Sequence, residues 1–215
     1  MSEPVVSPLG DRVISVSMGE GISDTLSSLV VARSSAIRAA GIIGVTDVVA
    51  SYSALAVHYD PLVIGYSDLS ERISPLLASR DLPEHAAAQP ALHTIEVTYD
   101  GEDIADVAAR TGLTVDDVIA IHTAREYRVY VIGFVPGFAY LGTLDERLAL
   151  PRRESPRKRV PAGSVAIADR QTGIYPSSSP GGWNLIGTTS AILFDPDREQ
   201  PALFNAGDRV RFEPC

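Results

Sequence analysis

The sequence is poor in the residues that staple a fold covalently or through a metal. Its single cysteine, Cys215, is the last of 215 residues, which excludes an intramolecular disulfide and a CxxC metal site. A thiol at a chain end also lacks the wall of neighbours that would lower its pKa, so Cys215 reads as inert. Four histidines, His58, His85, His93 and His122, are scattered without HExxH or HxH spacing, so metal catalysis by histidine is not expected. A hard cation held by a few Asp or Glu side chains stays open. Apolar runs such as residues 29–32 and 129–135 fall far short of the roughly 20 residues that span a bilayer. Residues 1–10 carry Glu3 and two prolines with no basic stretch leading into an apolar one, so no secretory signal is read there and a cytoplasmic location is expected.

Familiar catalytic and nucleotide signatures are missing as well. There is no GxxxxGK[ST] and no GxGxxG after a strand, so a bound nucleotide would need a non-standard site or a partner chain. Ser164, in Ala162-Gly163-Ser164-Val165, is not a GxSxG elbow and has no histidine nearby in sequence; it reads as the start of a strand. Two short predicted helices, 103–110 and 114–122, flank Thr111-Gly112-Leu113 like a helix-turn-helix. The second carries Asp116 and Asp117 where a recognition helix needs cations. Those acids and Thr114 instead suit an ordinary helix N-terminus. A net charge of −9 and a pI of about 4.9 further argue against nucleic acid or an anionic membrane as the main partner.

What is present is an ordinary globular composition, 45% hydrophobic and 21% charged, enough for one large core or two small ones. Residues 1–82 read as a small α/β domain. A strand at 12–18 is followed by a helix capped by Ser23 and running to about residue 40. A hairpin at 46–59 and a helix from 66 to 79 complete a strand–helix–strand–strand–helix order, which suggests a ferredoxin-like sandwich. Residues 83–92, with Pro83, Pro90 and several alanines, read as a linker. From 93 to 215 the texture is β-rich. Strands are predicted at 93–100, 128–134, 160–168, 173–175, 191–194 and 208–212, separated by Gly and Pro turns, as in a barrel or sandwich.

Charge and loop chemistry concentrate in one part of this domain. Residues 133–189 hold six arginines and the only lysine, Lys158, against four acidic side chains, a net +3, while the rest of the chain is net −12. The same stretch is dense in glycine and proline and holds the only tryptophan, Trp183. Rigid loops rich in Arg, Gln, Tyr and Asn suit an anionic small molecule or an acidic partner surface. Gly137 would allow close backbone approach, with Phe138 and Tyr140 as walls. Turning of barrel corners explains single glycines and prolines equally well, and a core role is the better single-residue reading for Trp183. No dyad or triad is visible, so no catalytic residue is assigned.

The strings Gly133-Phe134-Val135-Pro136-Gly137-Phe138-Ala139-Tyr140-Leu141, Pro151-Arg152-Arg153, Val160-Pro161-Ala162-Gly163-Ser164, Gln171-Thr172-Gly173-Ile174-Tyr175-Pro176 and Ser179-Pro180-Gly181-Gly182-Trp183 resemble the family of 5-oxoprolinase B-type subunits. That family is also labelled allophanate hydrolase subunit 1, or KipI. The resemblance implies an α+β chain with a cyclophilin-like β-barrel after the small α/β domain. It implies one subunit, inactive alone, of an ATP-dependent complex that opens 5-oxoproline to L-glutamate. The partners implied are a C-type protein, similar to allophanate hydrolase subunit 2, and a third 5-oxoprolinase component, with ATP held by or shared with a partner. Half of a biotin-dependent urea or amide carboxyltransferase, or a histidine-kinase inhibitor, are the alternatives. Under the leading reading the substrate carboxylate would meet Arg152, Arg153 or Arg159. The lactam would meet Gln171, Tyr175 and the backbone at Gly137, with Phe138, Tyr140, Gly181, Gly182 and Trp183 completing the surface. One departure stands out: the family often has Gly-Arg-Thr where this chain reads Gly187-Thr188-Thr189.

Overall fold

The structure, a computed structural model, describes residues 3–78 and 90–215. The chain divides into two compact units, Met1–Pro90 and Ala91–Cys215. Of the linker expected at 83–92, residues 83–89 lie outside the described residues, and Leu92 already belongs to a strand of the second unit.

The first unit runs β1 (Val5–Pro8), β2 (Val13–Ser17), α1 (Asp24–Ala39), β3 (Val45–Ala50), β4 (Ala54–Tyr59) and α2 (Tyr66–Ala78). Period-two patterning places Ile14 and Val16 of β2, and Leu55, Val57 and Tyr59 of β4, in the core. Ser23 caps α1, its hydroxyl accepting from the Leu26 N–H at 3.2 Å. Leu69, Ile73 and Leu77 recur at helical spacing on the buried side of α2. Arg33 is buried between the helices and donates from Nη1 to the Leu76 carbonyl at 2.9 Å, and desolvation lowers its pKa. The sheet order is β1-β2-β4-β3, antiparallel throughout. From β2 to α2 this is the expected ferredoxin-like order. The fourth strand place, which a ferredoxin-like unit fills from after the second helix, is taken here by β1 from before the first. Val5-Val6-Ser7-Pro8 is too short and too exposed for its pattern to betray a strand.

The second unit runs β5 (Leu92–Val97), α3 (Ile104–Thr111), α4 (Val115–Thr123), β6 (Glu126–Ile132), β7 (Ala139–Gly142), β8 (Arg157–Val160), β9 (Ser164–Ala168), β10 (Gln171–Ile174), β11 (Ser179–Gly181), β12 (Asn184–Thr188) and β13 (Arg209–Pro214). Seven strands form one sheet in the order β12-β9-β10-β7-β6-β13-β5, and β8 pairs with β11 in a separate ribbon. The sheet curls until its two edges meet. Thr98, just after β5, exchanges two backbone hydrogen bonds of 2.9 and 2.8 Å with Thr188 at the end of β12. Glycine makes that approach possible: a Cβ on Gly187 would lie 2.6 Å from the Thr98 carbonyl oxygen. The chain is therefore α+β, a ferredoxin-like unit followed by a cyclophilin-like β-barrel.

The main barrel core joins Val97, Val129, Leu141, Val165, Ile186 and Phe212 to Val107 and Val118 of the helices. His122 lies within it. Its Nε2 is 2.9 Å from the Thr172 hydroxyl and its Nδ1 2.7 Å from the Tyr99 phenol. Thr172 donates its one proton to the Ala166 carbonyl at 3.1 Å. Nε2–H must then donate to Thr172, and Nδ1 must accept from Tyr99. Burial pushes the His122 pKa down to about 3, so this imidazole is a neutral core group.

Two strand expectations are corrected. Residues 160–168 are not one strand: Pro161 lacks a donor and Gly163 sits at φ 80°, so the chain breaks into β8 and β9, which belong to different sheets. Residues 191–194 form only an isolated bridge between Phe194 and Ala202, because Pro196 and Pro201 remove the donors a longer ladder needs. Among the described residues, no helix is long and apolar enough to cross a membrane.

Candidate functional site

Strand alternation gives the barrel a second, smaller apolar cluster. While Val165, Ile167, Ile174 and Ile186 enter the main core, their neighbours Ala166, Ala168, Tyr175 and Leu185 join Phe138, Val160 and Trp183. Phe138 is the hub. Its ring centroid lies 4.9 Å from Tyr140, 5.3 Å from Tyr175 and 5.6 Å from Trp183, each edge to face. The opening of the cluster is marked by half-buried Tyr140 and by exposed Arg152, whose guanidinium carbon is 5.9 Å from the Trp183 centroid.

Several of the expected site residues are packed against their own chain. Phe138, Tyr175 and Trp183 are buried, so they form the floor of a surface and not its exposed walls. A side chain on Gly181 would collide with the Tyr175 hydroxyl, which makes that glycine a cover for the phenol. Gly137, at φ 81°, is pressed against Leu193 and Phe194. Gly182 is half-buried beside Pro156, and its carbonyl accepts from the Arg153 N–H at 2.7 Å. The Tyr175 pKa is raised, first by burial, while a hydrogen bond with the Trp183 backbone and the charges of Arg152 and Arg157 oppose the shift. Tyr175 is thus a protonated phenol within electrostatic reach of two guanidinium groups.

The arginines divide by their partners. Arg153 Nη1 and Arg157 Nη2 both donate to one oxygen of Asp103, at 2.6 and 2.7 Å, and the other oxygen accepts from the Leu185 N–H at 2.7 Å. Asp103 is only 5% exposed in its side chain, so this is a near-buried carboxylate neutralised by two cations. The Arg157 pKa is raised, chiefly by that bond. Arg147 and Arg125 are held by Asp145, and Arg170 by Glu146. Exposed Arg159 donates to the Ser178 hydroxyl at 3.0 Å. Gln171 is half-buried opposite Gly142 and Ala168. It lies four residues before Tyr175, about 13 Å at the rise of a strand. The structure therefore brings together Phe138, Tyr140, Arg152, Tyr175, Gly181, Gly182 and Trp183. Arg153 is tied behind them, and Gln171, paired opposite Gly142, lies on the sheet face that also carries Tyr140. Among the described residues, no group of three His, Cys, Asp or Glu side chains could hold a metal ion.

Residues 4–204 match the family described as carboxyltransferase domain, subdomain C and D. The chain is 39% identical to the B-type subunit of 5-oxoprolinase from Bacillus subtilis (strain 168) over 219 residues, covering 96% of this chain and 91% of that protein. The chain belongs to the family of 5-oxoprolinase B-type subunits. Among solved structures, TTHA0988 superposes with a TM-score of 0.85 at 41% identity, over 95% of this chain and 40% of that one. This chain therefore spans less than half of TTHA0988. The Kluyveromyces lactis urea carboxylase, at 17% identity and a TM-score of 0.78, covers 99% of this chain and 22% of its own, and shares the fold.

Within this family's fold, Asp103 and Arg157 are the residues that sequence reading missed. Asp103 read as a helix start and Arg157 only as one of six arginines in the cationic stretch 133–189, because their meeting spans 54 positions. Thr188 donates to Asp100 at 2.9 Å beside the barrel closure. Thr188 thus sits at the seam of the barrel, outside the aromatic cluster.

Proposed function

We propose that this chain is the B-type subunit of an ATP-dependent 5-oxoprolinase. It would act with a C-type protein, similar to allophanate hydrolase subunit 2, and a third component to open 5-oxoproline to L-glutamate. The observation that carries the reading is near full-length similarity to a 5-oxoprolinase B-type subunit. The geometry is compatible with such a substrate. 5-Oxoproline is a small lactam bearing one carboxylate, and Arg152 presents a cation against an aromatic floor of Tyr140 and Trp183. Arg153, already committed to Asp103, supports the loop that carries Arg152.

ATP fits this chain poorly. Five arginines of the barrel unit are held by carboxylates, and the sequence has no glycine-rich phosphate loop. We place the nucleotide on a partner chain, where it would activate the lactam oxygen. This chain's part is to bind and orient the carboxylate end. A lone chain would then be inactive. Reconstitution with both partners tests the reading: ATP hydrolysis should rise when 5-oxoproline is added, and hydrolysis indifferent to it would refute the assignment.

The carboxyltransferase description of the matched family favours a second reading, half of a biotin-dependent carboxyltransferase acting on urea or a related amide. Activity abolished by avidin and restored by biotin would select it.

A further inference from the structure

Phe134 is the one aromatic among the exposed large hydrophobics of the described residues, at 61% exposure. Its backbone sits at φ 74°, a left-handed conformation in which a bulky side chain is strained. Burial does not compensate, since most of the ring faces water. The conformation is nevertheless firmly set. The Gly133 N–H donates to the Phe138 carbonyl and the Phe138 N–H to the Val135 carbonyl, both at 3.0 Å. The Phe134 ring rests edge-on against buried Phe138, 5.7 Å away.

A second exposed apolar side chain belongs to the adjoining loop. Gly137 is packed so closely against Leu193 and Phe194 that a Cβ there would lie 2.6 Å from the Phe194 Cβ. The next residue outward, Ile192, is 58% exposed. Two loops braced against each other thus present Phe134, exposed Pro136 and Ile192 from one rigid base. A held aromatic with an exposed aliphatic residue on the adjoining loop is the makeup of a protein–protein anchor, since little freedom is lost on docking.

A longer relative carries this fold within a larger chain. In TTHA0988 the part matching this chain is only 40% of the polypeptide, so there the same fold is covalently joined to a large neighbour. Under the subunit reading the corresponding neighbour is a separate chain. We infer that Phe134 and Ile192 anchor the surface on which the C-type partner docks. The inference rests on the subunit reading proposed above.

The test uses the full chain and the purified C-type protein, with affinity measured by calorimetry and folding by thermal melting. Phe134→Asp should weaken binding at least about 30-fold, and Ile192→Asp about 10-fold or more, with melting temperatures near wild type. Phe134→Asn separates strain from recognition, because asparagine tolerates a left-handed backbone better. Its melting temperature should equal or exceed wild type while binding falls. Wild-type affinity in all three variants would overturn the inference and leave the subunit reading intact. A wild-type chain that does not bind the C-type protein would overturn both. A wild-type dimer dissociated by Phe134→Asp would assign the surface to a second copy and overturn the inference too.

Discussion

Replacing Asp103 with asparagine would remove the negative charge on which the loops around the aromatic cluster converge. Its carboxylate accepts from Arg153, Arg157 and the Leu185 N–H at 2.6 to 2.7 Å while only 5% exposed. Hydrogen bonds to charged groups contribute about 1.5–3 kcal/mol each, and breaking a buried ion pair costs about 3–5 kcal/mol. The Arg153 and Arg157 side chains are 37% and 17% exposed, so water recovers part of that cost. Asparagine can still accept from Leu185, but it turns an amide donor toward two cations. We expect a loss of about 2–3 kcal/mol for Asp103→Asn and about 1 kcal/mol more for Asp103→Ala. For a chain of this size that lowers the melting temperature by about 4–12 °C. The only tryptophan, Trp183, is buried in the barrel unit, so its fluorescence reports the unfolding of that unit specifically. Double-mutant cycles should show stronger coupling of Asp103 to Arg157 than to the more exposed Arg153. A change below about 0.5 kcal/mol for Asp103→Asn would refute the clamp, since that is the range of an ordinary surface substitution.

Further outcomes follow from the same geometry. His122 has its pKa pushed down to about 3, below the unfolded value of about 6.5, so its contribution is fully present above pH 6.5 and drains away as pH falls toward 3. Urea titrations should show up to about 1.4 kcal/mol lost per pH unit in that window, and His122→Phe should flatten that limb while lowering stability at neutral pH. An unchanged slope would exclude His122 as the titrating group. Gly187→Ala would place a Cβ 2.6 Å from the Thr98 carbonyl, and we expect a cost of about 1–3 kcal/mol at the barrel closure, measurable by the same fluorescence. Arg152→Ala should reduce kcat/KM of the assembled complex by about 10-fold or more with little change in melting temperature. Arg153→Ala should instead lower the melting temperature, so equal behaviour of the two variants would contradict the division of roles.

Much of the architecture was legible because it depends on short-range physics. The Ser23 cap, the helical spacing of Leu69, Ile73 and Leu77, and the turn between α3 and α4 are written within a few residues of themselves. The ordered Gly, Pro and Arg strings were enough to indicate the family. Strand boundaries suffered where proline and glycine break a β-rich run, as at Pro161 and Gly163, and β1 was missed because four residues carry too little pattern.

The candidate site was legible only as a region. Which aromatic rings face water and which are floor depends on sheet register, since a one-residue slip would exchange the faces of β10 and β12. Which arginines remain available for an anion depends on Asp103, which lies 50 positions from Arg153. The sequence by itself determined the two-unit α+β texture, the cationic loop segment and the family, because propensity, capping and composition act locally. Only the tertiary structure decided that Arg153 and Arg157 neutralise a buried carboxylate, that Arg152 stays at the surface over Trp183, and that Phe134 is held strained in water. Burial and ion pairing are properties of neighbours in space, and barrel closure creates those neighbours.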